Sequence, residues 1–217
     1  RFALAMNMYE NYLAHGIDAK SLSDTMHSWL KAENNALIAS QLVSYWGGAV
    51  SAMPDTDRHF QEQQMWQEYR NATIASVKQR LIRQLYNTVS DESVTDSIYN
   101  VWADKSDPLL SKTDYTQIAY RLAILKPQQW QEILQKQRTR LSDADEIRQF
   151  DFISRACTPD VDEQQRLFNS LLKAENRRIE PWTASLLRLL FSLVITARRL
   201  ARLWKHLLAN IPIIPTS

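Results

Sequence analysis

Apolar residues recur every three or four positions along most of the chain, which is the spacing of one face of an α-helix. The pattern predicts a first helix that runs to about Ala14 and is closed by Gly16, and a second that starts after Asp18. A third helix is expected to kink or end at Gly47-Gly48. One long helix is predicted from Arg58 to Asn87.

Turn signals divide the second half of the chain into shorter helices. Ser111, followed three residues later by Asp114, approximates a capping box. Pro127 fits a first helical position, and either Ser142 or Asp143 can cap the next helix. The chain has only three glycines, whereas β-rich folds use glycine repeatedly in turns. We therefore predict an all-α fold, specifically an irregular α-solenoid of HEAT- or armadillo-like antiparallel helix pairs that form a curved bowl.

Length and composition are those of an ordinary globular protein, with 217 residues, 45% of them apolar and 23% charged. We interpret residues 1–217 as a single helical domain with a divergent basic tail helix at 191–217. Helical spacing is already present at Phe2 and Met6, so we interpret the chain as a fragment of a larger protein. Cys157 is the only cysteine, and an intrachain disulfide is therefore excluded.

The charge is unevenly distributed along the chain. The net charge is +2, but no acidic residue follows Glu180, and the tail after it holds five basic residues. Without those five, 21 basic and 24 acidic groups remain, a net charge of −3. This balance argues against a nucleic-acid partner. We interpret the tail as a last packed helix with one solvated face; the alternative is a helix lying on an anionic membrane.

No catalytic or metal-binding motif is present in the sequence. A zinc hydrolase needs two histidines one helical turn apart with a glutamate beside the first, and the four histidines stand far apart: His15, His27, His59 and His206. Phosphate-binding loops and nucleophile elbows are also absent. The seven tryptophans lie on apolar helical stripes, which favours packing in the core over stacking on a ligand. We assign no catalytic and no metal residues to this chain.

Three segments near the C-terminal end carry a resemblance to a known family: FDFISRACTPD at 150–160, QQRLFNSL at 164–171 and ENRRIEPW at 175–182. Together they resemble the all-helical C-terminal domain of zinc aminopeptidases of the aminopeptidase N type. MYENYL at 8–13, KAENNALI at 31–38 and DPLLSKTDYTQIAYRLAI at 107–124 look like further stretches of the same domain in the same order. The resemblance extends over most of residues 1–190.

The resemblance implies a domain that caps a zinc site and limits the access of peptides to it. The parent enzyme would remove N-terminal residues with a zinc-bound water, and its zinc ligands would lie upstream of this chain. The implied partners are the catalytic domain of the same polypeptide and peptide substrates. The matching positions that we expect to line the chamber are Arg155, Asn176, Arg177, Glu180 and Trp182. A purely structural role at the start of the final long helix is the alternative.

The resemblance ends at Leu190, where relatives usually have a turn that contains His-Pro. In this chain a basic apolar stretch and then IPIIPTS follow. Three interpretations of this tail stay open: it is divergent, truncated or changed by a shift of reading frame. Two other functions also stay open. A helical-repeat scaffold would bind a partner protein on its concave face, and the tail could attach the protein to a membrane surface.

Overall fold

In a computed structural model, the protein is described over residues 1–178 and 181–191. These ranges contain twelve α-helices and one 3-10 turn, and they contain no strand. The predicted all-α fold is confirmed. The curved solenoid stays a prediction, and the tail at 192–217 lies outside the described residues.

The chain forms two compact units, and the first comprises residues 1–118. Its helices are α1 (Phe2–Leu13), α2 (Ala19–Lys31), α3 (Ala36–Val50), α4 (Asp55–Asn71), α5 (Ala75–Thr88) and α6 (Glu92–Asp104). Helix α3 packs against α2 and α5, and α4 packs against α5. Fully buried side chains of these helices form the core, including Met26, Leu42, Trp46, Leu81 and Leu85.

The second unit begins at Ala119, inside α7 (Lys112–Leu125). It continues with α8 (Trp130–Arg138), α9 (Ala144–Ser154), the 3-10 turn Arg155–Cys157, α10 (Val161–Leu171), α11 (Ala174–Arg177) and α12 (Thr183–Phe191). Its hydrophobic core includes Ala156, Leu167, Leu171, Leu186 and Leu190. Helix α12 packs on α9 and on the 3-10 turn. The interpretation of residues 1–217 as one domain stays a prediction.

Helix starts that depend on local side chains are confirmed. The Asp18 carboxylate accepts a hydrogen bond from the Ser21 N–H at 2.9 Å, as an N-cap does. Asp143 accepts bonds from the N–H groups of Asp145 and Glu146, the second and third residues of α9. At the start of α7, Ser111 and Asp114 form the reciprocal pair of a capping box, because each accepts a bond from the backbone N–H of the other.

Three predictions about helix boundaries differ from the structure. Helix α3 continues through Gly47-Gly48 to Val50. A Cβ atom at Gly47 would lie 2.0 Å from the Gln84 side chain, so this glycine permits close packing of α3 on α5 rather than ending the helix. The predicted helix from Arg58 to Asn87 is two helices, α4 and α5, because the backbone is extended at Ala72 and Ile74. Pro127 lies in a turn, and α8 begins three residues later.

Helix α1 ends in a left-handed residue, but that residue is His15 and not the expected Gly16. The φ of His15 is 62°, its N–H donates to the carbonyl of Tyr12, and the Gly16 N–H donates to the carbonyl of Asn11. These two bonds define a Schellman motif, in which glycine is the usual left-handed residue. A residue with a Cβ atom at this position therefore lowers the stability of the folded chain relative to glycine.

We expect His15→Gly to raise the free energy of unfolding by about 1 kcal/mol, because glycine lacks the Cβ that makes a left-handed conformation costly. Chemical denaturation followed by circular dichroism measures the change. Ser28→Gly is the matched control, since Ser28 is exposed inside α2, and it should lower stability by roughly 0.5–1 kcal/mol. Equal losses in both variants would contradict the assignment of strain to His15.

Candidate functional site

A groove with a volume of about 450 Å³ opens on the second unit, along α8, the end of α9 and α10. Apolar, hydroxyl and charged side chains line it together: Trp130, Leu134, Ser154, Arg155, Thr158, Glu163, Arg166, Leu167 and Ser170. The volume lies within the range of roughly 300–1,000 Å³ that is typical of small-molecule pockets. The groove therefore has room for a small ligand.

Arg155 is the first residue of the 3-10 turn that follows α9, and its side chain is exposed. The next two residues, Ala156 and Cys157, are buried and fix the turn in the core. Within the described part of the chain, the Arg155 guanidinium forms no ion pair and no hydrogen bond. Arg155 thus contributes an uncompensated positive charge to the groove.

Helix α10 supplies the other two charged side chains of the groove, Glu163 and Arg166. Asp160 caps this helix through the N–H groups of Asp162 and Glu163. The buried Thr158 hydroxyl donates to Glu163 Oε2 at 3.0 Å, which holds one carboxylate oxygen and leaves Oε1 available. The two charged side chains are three positions apart, so they lie on the same side of the helix.

Asn176 and Arg177, two of the five expected chamber residues, bind the end of α10. Asn176 Nδ2 donates to the carbonyl of Ser170 at 2.7 Å. Arg177 Nη1 donates to the carbonyls of Leu171 and Leu172 at 2.8 and 2.7 Å. The last carbonyls of a helix have no partner within the helix, and these side chains satisfy three of them. Both side chains therefore have a structural role at the end of α10, and their expected place in a chamber lining stays a prediction.

Trp182 precedes α12 and is half-buried against α9. Its ring centroid lies 6.5 Å from that of Phe152, and the Arg148 guanidinium lies 5.3 Å from the Trp182 ring centroid. The indole therefore attaches the start of α12 to α9. Glu180 lies outside the described residues, so its expected place in the chamber lining stays a prediction.

Of the five sequence candidates, Arg155 alone lines the groove in the described part of the chain. The sequence reading missed Thr158, Glu163 and Arg166. The only sequence signal for these residues was the spacing of Glu163 and Arg166 on a strongly amphipathic helix, a spacing that is common on solvated helix faces. Their position beside Arg155 depends on packing between elements and could not be inferred from local pattern.

A smaller groove of about 180 Å³ lies in the first unit, and its charged side chains already have partners. Glu68 lies 2.7 Å from His27 Nε2 and 3.8 Å from Lys31 Nζ. Glu33, which also lines the groove, lies 3.4 Å from the guanidinium of Arg1. The His27 ring stacks on Trp46 with a centroid distance of 4.3 Å. These contacts connect α2, α3 and α4 and leave no free charge among the residues named.

Glu62 is buried in the first unit and is saturated with hydrogen-bond donors. It accepts bonds from the N–H groups of Ser90 and Asp91 and from the Ser90 hydroxyl, and Arg58 Nε lies 3.7 Å away. Burial raises the pKa of the Glu62 carboxyl, and the bonds from Ser90 and Asp91 together with the charge of Arg58 oppose that rise. The carboxylate holds the loop before α6, which is a structural role.

Asp114 is another buried carboxylate of the first unit. Arg83 binds it with two bonds of 2.7 and 2.9 Å, and the Ser111 and Tyr86 hydroxyls also donate to it. Burial acts to raise the pKa of Asp114, but the bonds from Arg83 and Ser111 outweigh it and lower the pKa to about 2. An acid this strong is ionised throughout the neutral range and cannot exchange protons there.

The described residues include no group of three or more His, Cys, Asp or Glu side chains that could hold a metal ion. The helices of the same ranges are too short or too polar to cross a bilayer. The Cys157 thiol is buried and donates to the carbonyl of Tyr120 at 3.7 Å. Burial raises the pKa of this thiol, so it is not a nucleophile at neutral pH.

Comparison of the chain with models of protein families, with curated proteins and with solved structures finds no match.

Proposed function

We propose that the chain is the noncatalytic C-terminal helical domain of a zinc aminopeptidase of the aminopeptidase N type. The observation that carries this proposal is the order of the matching segments, from MYENYL at 8–13 to ENRRIEPW at 175–182. In this role the domain caps the active site and gates the access of peptides whose N-terminal residues are removed. The partners are the catalytic domain of the same polypeptide and the peptide substrate.

The environment of the ENRR segment supports the proposal in one respect. Asn176 and Arg177 hold the end of α10, so these residues serve the packing of a helical domain. A cap that restricts access needs rigid packing and no reactive group of its own. In this proposal the zinc ligands of the enzyme belong to upstream sequence.

The proposal is tested with the coding sequence upstream of Arg1. We expect it to encode HExxH followed by a further glutamate, and we expect the longer protein to release N-terminal residues from peptides until a chelator removes its zinc. The 217-residue chain with added zinc should release none. Peptide trimming by this chain alone, or an upstream sequence without the motif, would contradict the proposal.

A second experiment on the longer protein tests the gate itself. Arg177→Ala removes the hydrogen bonds to the end of α10, so the position of this helix end in the chamber wall is no longer fixed. The substitution should therefore change the relative rates of cleavage of short and longer peptides. Arg80→Gln is the control, since Arg80 is exposed on α5. Unchanged rates on both peptide lengths would exclude this segment from gating.

A further inference from the structure

The groove of the second unit holds two positive charges and one negative charge that are not paired with each other. Arg155 and Arg166 have no ion pair within the described residues. Glu163 is bound by the Thr158 hydroxyl alone in that part of the chain. Charged side chains that converge on a concave surface without partners are suited to binding a ligand of complementary charge.

The distribution of these charges points to a ligand with two ends of opposite sign. Two guanidiniums favour a carboxylate, which a planar guanidinium can bind with two parallel hydrogen bonds. The free Oε1 of Glu163 can accept hydrogen bonds from an ammonium group. The hydroxyl protons of Ser154 and Ser170 are directed to backbone carbonyls, so their oxygens face the groove as acceptors only.

The same groove has an apolar side. Leu134 and Leu167 line it and are 8% and 5% exposed, so their remaining accessible surface contributes to the groove. Trp130 is half-buried beside them at the start of α8. An aliphatic group placed here would leave water, which is favourable in proportion to the apolar area covered. The groove thus combines anion-binding, cation-binding and apolar surfaces.

We propose that this groove binds a free amino acid with an apolar side chain. Arg155 and Arg166 hold its carboxylate, and Glu163 holds its ammonium group. The side chain lies on Leu134 and Leu167. The groove of the first unit differs in this respect. Its Glu68 carboxylate already contacts His27 and Lys31, so it is not available to bind a ligand's ammonium group. Binding concerns this chain alone and does not depend on a catalytic domain.

Calorimetric titration of the 217-residue chain tests the site with three probes: L-leucine, N-acetyl-L-leucine and L-leucinamide. We expect leucine to bind best, and the loss of either charged end to weaken binding about tenfold or more. Arg155→Gln and Arg166→Gln should abolish the preference for leucine over leucinamide. Glu163→Gln should abolish the preference for leucine over acetyl-leucine. All three side chains are exposed, so circular dichroism should show an unchanged fold.

Arg80→Gln is the matched control, because it removes the same charge from an exposed position in the first unit. It should bind all three probes as the unchanged chain does. The proposal is overturned if leucine shows no saturable binding up to about 10 mM. It is equally overturned if leucinamide binds as well as leucine, or if Arg80→Gln weakens binding as much as Arg155→Gln.

Discussion

Replacement of Glu62 by alanine is expected to lower the free energy of unfolding of the first unit by about 3–5 kcal/mol, the usual effect of removing one partner of a buried ion pair. Arg58 is 5% exposed and would lose the buried carboxylate of Glu62, keeping the exposed Asp55 as its acidic partner. The backbone N–H groups of Ser90 and Asp91 would lose their acceptor in the same step. A buried donor without a partner carries a penalty of its own.

Native-state hydrogen exchange of the amides of α4 and α6 measures this loss, because two compact units can unfold in separate transitions. Glu62→Gln should have an intermediate effect, since an amide oxygen can still accept one bond but the charge is lost. Glu92→Ala is the control: Glu92 is exposed in the first turn of α6 and should contribute less than about 1 kcal/mol. A similar effect for Glu62→Ala and Glu92→Ala would contradict the role of the buried carboxylate.

Asp114→Asn is expected to have the second largest effect, about 2–3 kcal/mol at neutral pH, through the loss of charged hydrogen bonds from Arg83 and Ser111. The effect should be smaller than that of Glu62→Ala, because the Arg83 side chain is 40% exposed and can return to water. Native-state hydrogen exchange of the backbone amides of α5 measures this loss of stability.

The pH dependence of stability gives a separate measurement of Asp114. The pKa of its carboxyl is lowered from 3.8 to about 2 in the folded chain, so the unfolded chain binds this proton more tightly. The resulting stabilisation, about 2 kcal/mol, is fully present above the unfolded pKa and is lost as the pH falls through the folded pKa. In Asp114→Asn, the loss of stability between pH 5 and pH 2 should be smaller by about that amount.

Asp151→Asn is the control for both measurements on Asp114. Asp151 binds Arg138 with two bonds of 2.8 and 2.9 Å, nearly the geometry of the Asp114 pair. Both side chains of this second pair are nearly half exposed, at 45% and 46%. Exposed pairs contribute about 0–1 kcal/mol, so Asp151→Asn should change stability little. Equal losses of stability in the two variants would contradict the claim that burial makes the Asp114–Arg83 pair contribute more to the free energy of unfolding.

The helix starts could be predicted from the sequence because their causes are local. The carboxylates of Asp18 and Asp143 bind N–H groups two or three residues ahead, and no distant element takes part. The reversal between α4 and α5 has no such cause. It depends on the packing of α5 against α4, and the segment at 71–75 contains no proline or glycine that would mark the break.

The inward face of α4 shows why hydrophobic periodicity misses some cores. Its buried residues follow helical spacing, yet most of them are polar or charged: Arg58, Gln61, Glu62, Met65 and Tyr69. Their partners lie far away in sequence, such as Ser90 for Glu62 and Asp107 for Tyr69. A reading that ranks positions by hydrophobicity assigns this face to solvent. These buried polar contacts can be identified only from the packed arrangement of the helices, because the partners are distant in sequence.

The candidate site was predictable only in part. Arg155 was identified through the segment FDFISRACTPD, and the structure places it on the groove. Glu163 and Arg166 belong to a helix whose exposed positions are mostly polar, so nothing in the local pattern distinguishes them from its other solvated residues. Asn176 and Arg177 were expected to line the chamber, and in the structure their side chains bind the end of α10.

The buried thiol of Cys157 has a practical consequence for experiments on this chain. Because it is the only cysteine, a thiol-specific reagent can modify the protein at one place only. The reagent reaches that sulfur when the surrounding helices of the second unit separate, so the labelling rate follows the opening of this half of the molecule. Mass spectrometry of the labelled chain then measures how often the core around Cys157 opens.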